Sequence, residues 1–382
     1  MNVRRPVSLR SRLVLATSAL VVAVPSVSRA DAIKPVMTPT VQSLGSADLD
    51  RPSGVGSNGL LYGQKTGSGG QLHAATTAYG IATTDLGTLG GNYSSASGMN
   101  ASGVVVGESS LADNTTNHGF VAQPGGSLHD IGTLGGSSST ATAINNAGQV
   151  VGGAAIPTGE TRAFVRSTDG TMTNLGTLGG GYSIANGINA FGTVVGQAST
   201  ASGNMHAFAH SGGSMTDLGT LGGSFSAASA INGSGMIVGQ AYTSGDTSAR
   251  AFLYDGTKMT DLGVTNGFTA SAADSINSAG EVVGKLYGKL SPGSGAYVQH
   301  AFLYRDGIMT DLNTLLPASA AFSSYVLNEA TGIDDQGRIV GIGTFAGKSI
   351  SFALMIQAVP EPSTLALFGV LGVLAVSRWV RR

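Results

Sequence analysis

The feature that most constrains this chain is a phrase it keeps repeating, Met215-Thr216-Asp217-Leu218-Gly219-Thr220-Leu221-Gly222-Gly223. Near-copies stand at Asp85–Gly91, Asp130–Gly136 and Asn174–Gly180, with shorter echoes at Asp261-Leu262-Gly263 and Asp311-Leu312-Asn313. The phrase belongs to a unit of about 44 residues, and such units bury a core by stacking on one another. Glycine supplies 59 of the 382 residues, without a three-residue period, which excludes collagen and suits a turn-rich all-β chain.

Each unit holds four short phrases. In one copy they are Ala141-Thr142-Ala143-Ile144-Asn145, Gly148-Gln149-Val150-Val151-Gly152, Arg162-Ala163-Phe164-Val165 and Met172-Thr173-Asn174-Leu175-Gly176. Each is rich in Val, Ile, Phe or Leu and bounded by turn residues, so each reads as a strand. The first two are joined by Asn-x-x-Gly: Asn100–Gly103, Asn145–Gly148, Asn189–Gly192, Asn232–Gly235 and Asn277–Gly280, with Asp334–Gly337 as a variant. A side-chain acceptor followed three residues later by a glycine free to take positive φ suits a type I turn with a bulge. Asp169-Gly170, Gly212-Gly213, Asp255-Gly256 and Asp306-Gly307 give hairpin chemistry between the last two phrases.

Four antiparallel strands per unit is the period of a β-propeller blade. A right-handed β-helix is the rival, but its coils need no tight hairpins. The glycine closing the second phrase occurs seven times, at Gly63, Gly107, Gly152, Gly196, Gly239, Gly284 and Gly341. The fourth phrase occurs six times after its partner, and Pro35–Gly45 at the front resembles the missing copy. The expectation is an all-β, seven-bladed β-propeller of four-stranded repeats, closed by an N-terminal strand that would otherwise leave a sheet edge unpaired.

The two ends are of another kind. Arg4, Arg5, Arg10 and Arg12 precede an apolar run from Leu13 to Val24, and Ser28-Arg29-Ala30 or Ala30-Asp31-Ala32 offers small residues for cleavage. Residues 1–30 therefore read as a signal peptide, with an uncleaved anchor helix as the alternative. At the other end stand Val359-Pro360-Glu361-Pro362, an uncharged run from Leu365 to Ser377, and the cluster Arg378, Arg381 and Arg382. Prolines stop a helix, an apolar run can enter a bilayer, and arginines favour the cytoplasmic face. An ordinary tail anchor would share those features, but their order closely resembles the PEP-CTERM sorting tail of Gram-negative bacteria. That resemblance implies a short transmembrane helix, transient inner-membrane anchoring, and processing by an exosortase after signal peptidase has acted. The protein would end at the cell surface or outside it. The resulting organisation is a signal peptide at 1–30, a repeat domain at 31–357 and a sorting tail at 358–382.

Removing the five arginines of the leader, and the three arginines and one glutamate of the tail, leaves 12 basic and 20 acidic residues, a net charge of −8. Nucleic acid is thereby disfavoured as a partner, since phosphate binding needs a basic face. The absence of cysteine leaves stability to packing and ladder hydrogen bonds.

The succession His-Ala-Phe, Asp-Leu-Gly-Thr-Leu-Gly-Gly, Ile-Asn and Gly-x-Val-Val-Gly also resembles the HAF family of extracellular repeats, over roughly residues 50–355. His73-Ala74-Ala75 lacks the Phe and Ser351-Phe352-Ala353 lacks the His. The resemblance implies location and architecture rather than a reaction.

The repeated acids Asp85, Asp130, Asp217, Asp261 and Asp311 would make calcium ligands only if clustered. Each stands once per repeat at a strand end, and Asn174 replaces one copy, as a side chain bonding the next turn would allow. His73, His118, His206 and His300 share one repeat position with Arg162 and Arg250, and a metal ligand cannot become arginine. Asn92 and Asn114 open glycosylation sequons and read as loop residues in a chain of bacterial type. Gly-Thr-Leu-Gly-Gly has no following lysine for phosphate and reads as a connection between blades. No metal, cofactor or catalytic residue is expected.

Two departures from the repeat point to binding. From the second phrase to the third the usual gap is 10 or 11 residues, but Gly284 to His300 is 16. From the fourth phrase to the next Ile the gap is 14 in Asp217–Ile231 but 22 in Asp311–Ile333. In an up-and-down blade both insertions emerge on one face, with Tyr287, Lys289, Tyr297, Tyr325, Asn328 and Glu329 as candidate binding residues. Neutral loop drift is the alternative reading of both insertions. The functional expectation is a non-catalytic binding or structural component of an exopolysaccharide or biofilm matrix. The alternative is a propeller hydrolase or lyase acting on extracellular polysaccharide.

Overall fold

Each repeat phrase becomes one strand. In the third repeat Ser139–Ile144, Val150–Ala155, Thr161–Arg166 and Met172–Asn174 pair antiparallel in chain order. The computed structural model describes residues 40–43, 49–67, 69–78, 82–288, 297–318 and 322–355. The expected signal segment lies outside these residues. So do Lys289 and the sorting tail, with Pro360, Glu361, Pro362, Arg378, Arg381 and Arg382. Among the described residues the only helical segments are two short 3-10 turns, Ser244–Asp246 and Leu312–Leu315, and no helix is long and apolar enough to cross a membrane.

The strands assemble into five four-stranded sheets and one of eight strands, in which a single parallel bridge, Met205 to Phe225, joins two four-strand runs. The first strands of the successive runs are Arg51–Val55, Gly90–Met99, Ser139–Ile144, Gly179–Ile188, Gly222–Ile231, Ala270–Ile276 and Tyr325–Ile333. The last run takes its outer strand from the front of the chain: Thr40–Ser43 pairs antiparallel with Lys348–Met355. Ser43 there stands opposite Phe352, as Asp217 stands opposite Phe208.

The turns follow their residues. In the Asn189 turn the Gly192 N–H donates to the Asn189 carbonyl, and the Asn189 Oδ1 accepts from the N–H groups of Phe191 and Thr193 at 3.0 Å each. Gly192 has φ +79°, which glycine takes without penalty. The Gly212-Gly213 pair has φ +60° and +82°, the two positive values that a two-residue type I′ hairpin requires.

The core is serial. Phe120, Phe164, Phe208, Phe252, Phe302 and Phe352 are fully buried, one per run from the second to the seventh, each opposite the glycine that closes the second phrase. That glycine is required by space: a Cβ on Gly196 would lie 2.0 Å from the Ile184 carbonyl oxygen. Each Phe packs with residues of the adjacent sheet, as Phe208 does with Val151, Ala163 and Leu175 of the preceding run. In the first run Ala75 replaces the Phe, and the partly buried Tyr62, its phenol pushed up to about 12 by desolvation, packs with Ala74 and Phe120. Leu61 and Ala75 of the first run pack against Val340 of the last.

Polar side chains bridge neighbouring sheets. Ser94, Ser183, Ser226 and Ser271 each accept from an alanine N–H of the preceding sheet and donate to the carbonyl of a glycine in the connection. The turn asparagines form a directional chain: Asn100, Asn145, Asn189, Asn232 and Asn277 each donate through Nδ2 to the carbonyl of the next, ending on Asp334. Asp334 has no amide to continue it, and its Oδ2 instead accepts from Arg338 Nε at 2.5 Å. The Arg338 guanidinium lies against Gly59 in the turn of the first run.

Candidate functional site

The repeated acids and histidines, set apart in the sequence, are partners in the structure. His73, His118, His206 and His300 place Nδ1 2.7–2.9 Å from Asp85, Asp130, Asp217 and Asp311. The second carboxylate oxygen accepts from a backbone N–H two residues on, Gly87 in the first copy and Gly219 in the fourth. Arg250 faces Asp261 at 3.8 Å. Where Asn174 replaces the acid, it keeps the turn by accepting from the Gly176 N–H at 2.8 Å, and Arg162 turns to Glu160 and the Gly181 carbonyl. Burial pushes the Asp85 and Asp311 carboxyls up, but hydrogen bonds from backbone N–H groups and the histidines outweigh it and hold both below the ordinary range. These pairs lock the third strand to the fourth. Among the described residues no cluster of His, Asp and Glu could hold a metal ion.

The sixth and seventh runs differ. The sixth comprises Ala270–Ile276, Val282–Gly288, Val298–Arg305 and Ile308–Asp311, and the seventh begins with Tyr325–Ile333. Lys285 Nζ donates to Glu329 Oε1 at 2.7 Å, and Gln299 Nε2 donates to Glu329 Oε2 at 3.3 Å. Asn328 Nδ2 donates to the Gln299 carbonyl at 3.0 Å. Asp274, on the first strand of the sixth run, faces the same cluster with Oδ2 cut off from water and taking no hydrogen bond. Burial pushes its carboxyl up to about 8; Lys285 opposes this and Glu329 reinforces it. Burial would lower the Lys285 ammonium, but Asp274 and Glu329 hold it above its ordinary value.

Aromatic rings lie around this cluster. Tyr287 and Tyr297, at the two feet of the first insertion, have centroids 6.2 Å apart, and Tyr297 is 66% exposed. Tyr325, at the foot of the second, packs on Phe345 at 4.5 Å and Phe322 at 5.8 Å. Burial raises the Tyr287 phenol, and the neighbouring Tyr297 and Tyr242 add to the shift. The structure thus joins Asn328 and Glu329 to the sixth run, pairs Tyr287 with Tyr297, and places Tyr325 in a separate aromatic group of the seventh.

Asp274, Lys285 and Gln299 were not among the residues singled out from the sequence. The signal was present. Asp274 is the extra residue of a β-bulge, and its counterparts are Ser53, Ser97, Thr142, Asn186, Ser229 and Thr331. It is the one acid in the set. Lys285 is likewise the one cation at a position held elsewhere by Gln64, Glu108, Gly153, Gln197, Gln240 and Ile342.

On the face of the asparagine turns a cavity of about 220 Å³ is lined by Val55, Ser57, Asn232, Asn277, Asp334 and Asp335. These residues come from the first, fifth, sixth and seventh runs.

The chain carries a PEP-CTERM protein-sorting motif at residues 358–382, and residues 222–354 match the family model described as "Protein of unknown function (DUF3466)". No curated protein matches the sequence. Among solved structures, the chain resembles a puromycin hydrolase at 12% identity with a TM-score of 0.51, over 84% of this chain and 56% of that one. The β-propeller domain of the Trilobed protease from Pyrococcus furiosus aligns at 10% identity with a TM-score of 0.48, over 79% of this chain and 95% of that one. The chain therefore spans just over half the length of the puromycin hydrolase. The likeness to the puromycin hydrolase is one of fold: this is an all-β chain, and its sorting motif is that of an exported, exosortase-processed protein.

Proposed function

We propose that the body is a closed seven-bladed propeller acting as a non-catalytic binding scaffold outside the cell, and that the junction of its sixth and seventh blades takes extracellular polysaccharide. Closure is supported by the pairing of Thr40–Ser43 with Lys348–Met355, and by Thr331 Oγ1 donating to the Pro52 carbonyl at 3.2 Å. The observation that carries the binding reading is the convergence of the two insertions. Their feet bring the half-buried Tyr287 and the exposed Tyr297 beside the amide and acid groups of Asn328, Gln299 and Glu329. Aromatic faces suit the C–H surfaces of sugar rings, and fixed polar groups suit their hydroxyls. Without its leader and sorting tail the body would carry a net charge of −8, which favours a neutral or cationic polymer over an acidic one.

Asp274 and Glu329 are the observation that favours the enzymatic alternative. Glycoside hydrolysis, however, uses carboxyl groups at least about 5 Å apart around a bond that both can reach. Here the two acids face each other closely enough to share a proton, and one oxygen is shut off from water. The binding reading fits this arrangement better.

The test is retention of the full-length chain on exopolysaccharide from its own producing cells, with Tyr287→Ala/Tyr297→Ala beside it. Retention lost in the double variant supports the reading. No retention of the parent protein on any such polymer overturns it. Release of new reducing ends would transfer the case to the hydrolase.

A further inference from the structure

The bulge residue on the first strand of each run does a particular job. Thr142 Oγ1 donates to the Ala185 carbonyl at 2.7 Å, Asn186 Nδ2 to the Ala228 carbonyl at 2.8 Å, and Thr331 Oγ1 to the Pro52 carbonyl at 3.2 Å. Each acceptor is the residue just before the next run's bulge. At this position a neutral donor ties the inner strand of one run to the inner strand of the next.

Asp274 occupies that position in the sixth run, and a carboxylate has no proton to donate. Its Oδ2 is dry and takes no hydrogen bond, and Glu329, on the first strand of the next run, stands within reach of the same carboxyl group. Two carboxylates at such range cannot both stay ionised cheaply, so a shared proton is the economical arrangement. The surrounding charges bear on the balance. Lys285 and Tyr287 face the pair from Val282–Gly288, Gln299 from Val298–Arg305, and Tyr242 of the fifth run lies behind Tyr287. Lys285 is already engaged by Glu329 at 2.7 Å, so its ammonium serves one acid and only partly offsets the other.

We propose that Asp274 stands as the neutral acid and donates to Glu329, so that the joint between the strands Ala270–Ile276 and Tyr325–Ile333 is held by a proton and loosens when that proton is lost. The other joints of known donor use a hydroxyl or an amide and carry no such dependence. Glu329 lies within the strand Tyr325–Ile333, four residues beyond the foot of the second insertion, so the device acts on the strand. It stands apart from the question of which ligand the face takes.

The sign follows from the raised carboxyl. The folded state holds the proton more tightly than the unfolded chain, where an aspartate ionises near pH 4. The contribution of this joint is complete below that range and is lost as pH rises through about 8.

The experiment compares the full-length chain with Asp274→Asn, whose amide donates at every pH. Urea midpoints are taken from about pH 5 to about pH 9, alongside infrared spectra of the carboxyl region. The stability of Asp274→Asn relative to the parent protein should rise steadily with pH, and a protonated-carboxyl band seen in the parent at about pH 6 should be missing from the variant. A pH-independent difference, or no such band in the parent, overturns the proposal. Should Asp274→Asn fail to fold, Glu329→Gln decides. Removing the neighbouring charge should move the loss of the carboxyl band to lower pH, and an unmoved or absent band overturns the proposal.

Discussion

The second to fifth runs and the junction of the sixth and seventh are built from the same strands but use polar groups in opposite ways. In the regular runs every buried polar side chain that bridges two sheets is neutral: a serine under the connection, an asparagine at the turn, a hydroxyl or amide at the bulge. Most charge lies at the half-exposed rim, where His and Asp close the outer hairpin, with Glu108 and Arg166 as exceptions on the strands. At the junction the charge moves inward: Asp274 stands where every other run has a neutral bulge residue, and Lys285 is the one cation at its repeat position. Neutral bridges hold their geometry at any pH. A charged cluster carries a desolvation cost, and its strength depends on protonation.

This contrast can be broken or sharpened in order of effect. The largest loss belongs to the regular runs. Gly196→Ala drives a Cβ into the Ile184 carbonyl beneath the buried Phe208, and should cost about 3 kcal/mol in a urea titration. A fall well below that would show that the bulge can relax, and that the repeat is less rigid than the junction. Ser183→Ala removes the bridge between the Ala163 N–H and the Gly176 carbonyl, and should cost about 2 kcal/mol by leaving both groups unpaired.

At the junction, Lys285→Met leaves two acids facing each other without their cation. A loss of about 2 kcal/mol at neutral pH is expected, growing toward alkaline pH. Equal loss at acid and alkaline pH would sink the picture of a proton-held joint. The rim pairs should show the reverse pH signature. Asp311 is held low, so its contribution is present above the ordinary aspartate range and is lost as pH falls through its folded value. Asp311→Asn should therefore flatten the acid limb of the stability curve and leave the alkaline limb unchanged. The smallest effect is His206→Ala, at under about 1 kcal/mol, because its aspartate partner is 40% exposed.

Much of the fold was legible because each phrase specifies its own strand and turn. The Asn189–Gly192 turn, the paired glycines at 212 and 213 and the Phe208–Gly196 contact all follow from local chemistry repeated copy after copy. Pro35–Gly45 reads as the copy missing from the end, and within it Thr40–Ser43 pairs with Lys348–Met355, the pairing on which the proposed closure rests. The candidate site was legible only at its edges. Insertion lengths pointed to Tyr287, Tyr297, Tyr325, Asn328 and Glu329, because a broken period is visible in one dimension. They did not point to Asp274 or Lys285, which keep the period and change only the chemistry at one position.

The histidines and aspartates teach the same lesson. Eleven or twelve residues separate His206 from Asp217 and His73 from Asp85, and only the pairing of third and fourth strands brings them within 3 Å. The sequence by itself determined period, strand, turn and the sorting motif at the C-terminal end, since these rest on backbone preference, nearest neighbours and local order. Tertiary structure decided which polar groups meet. Asp274 and Glu329 are 55 residues apart, on strands of different sheets, and a buried carboxyl becomes a proton holder only when packing removes its water and sets a second acid beside it.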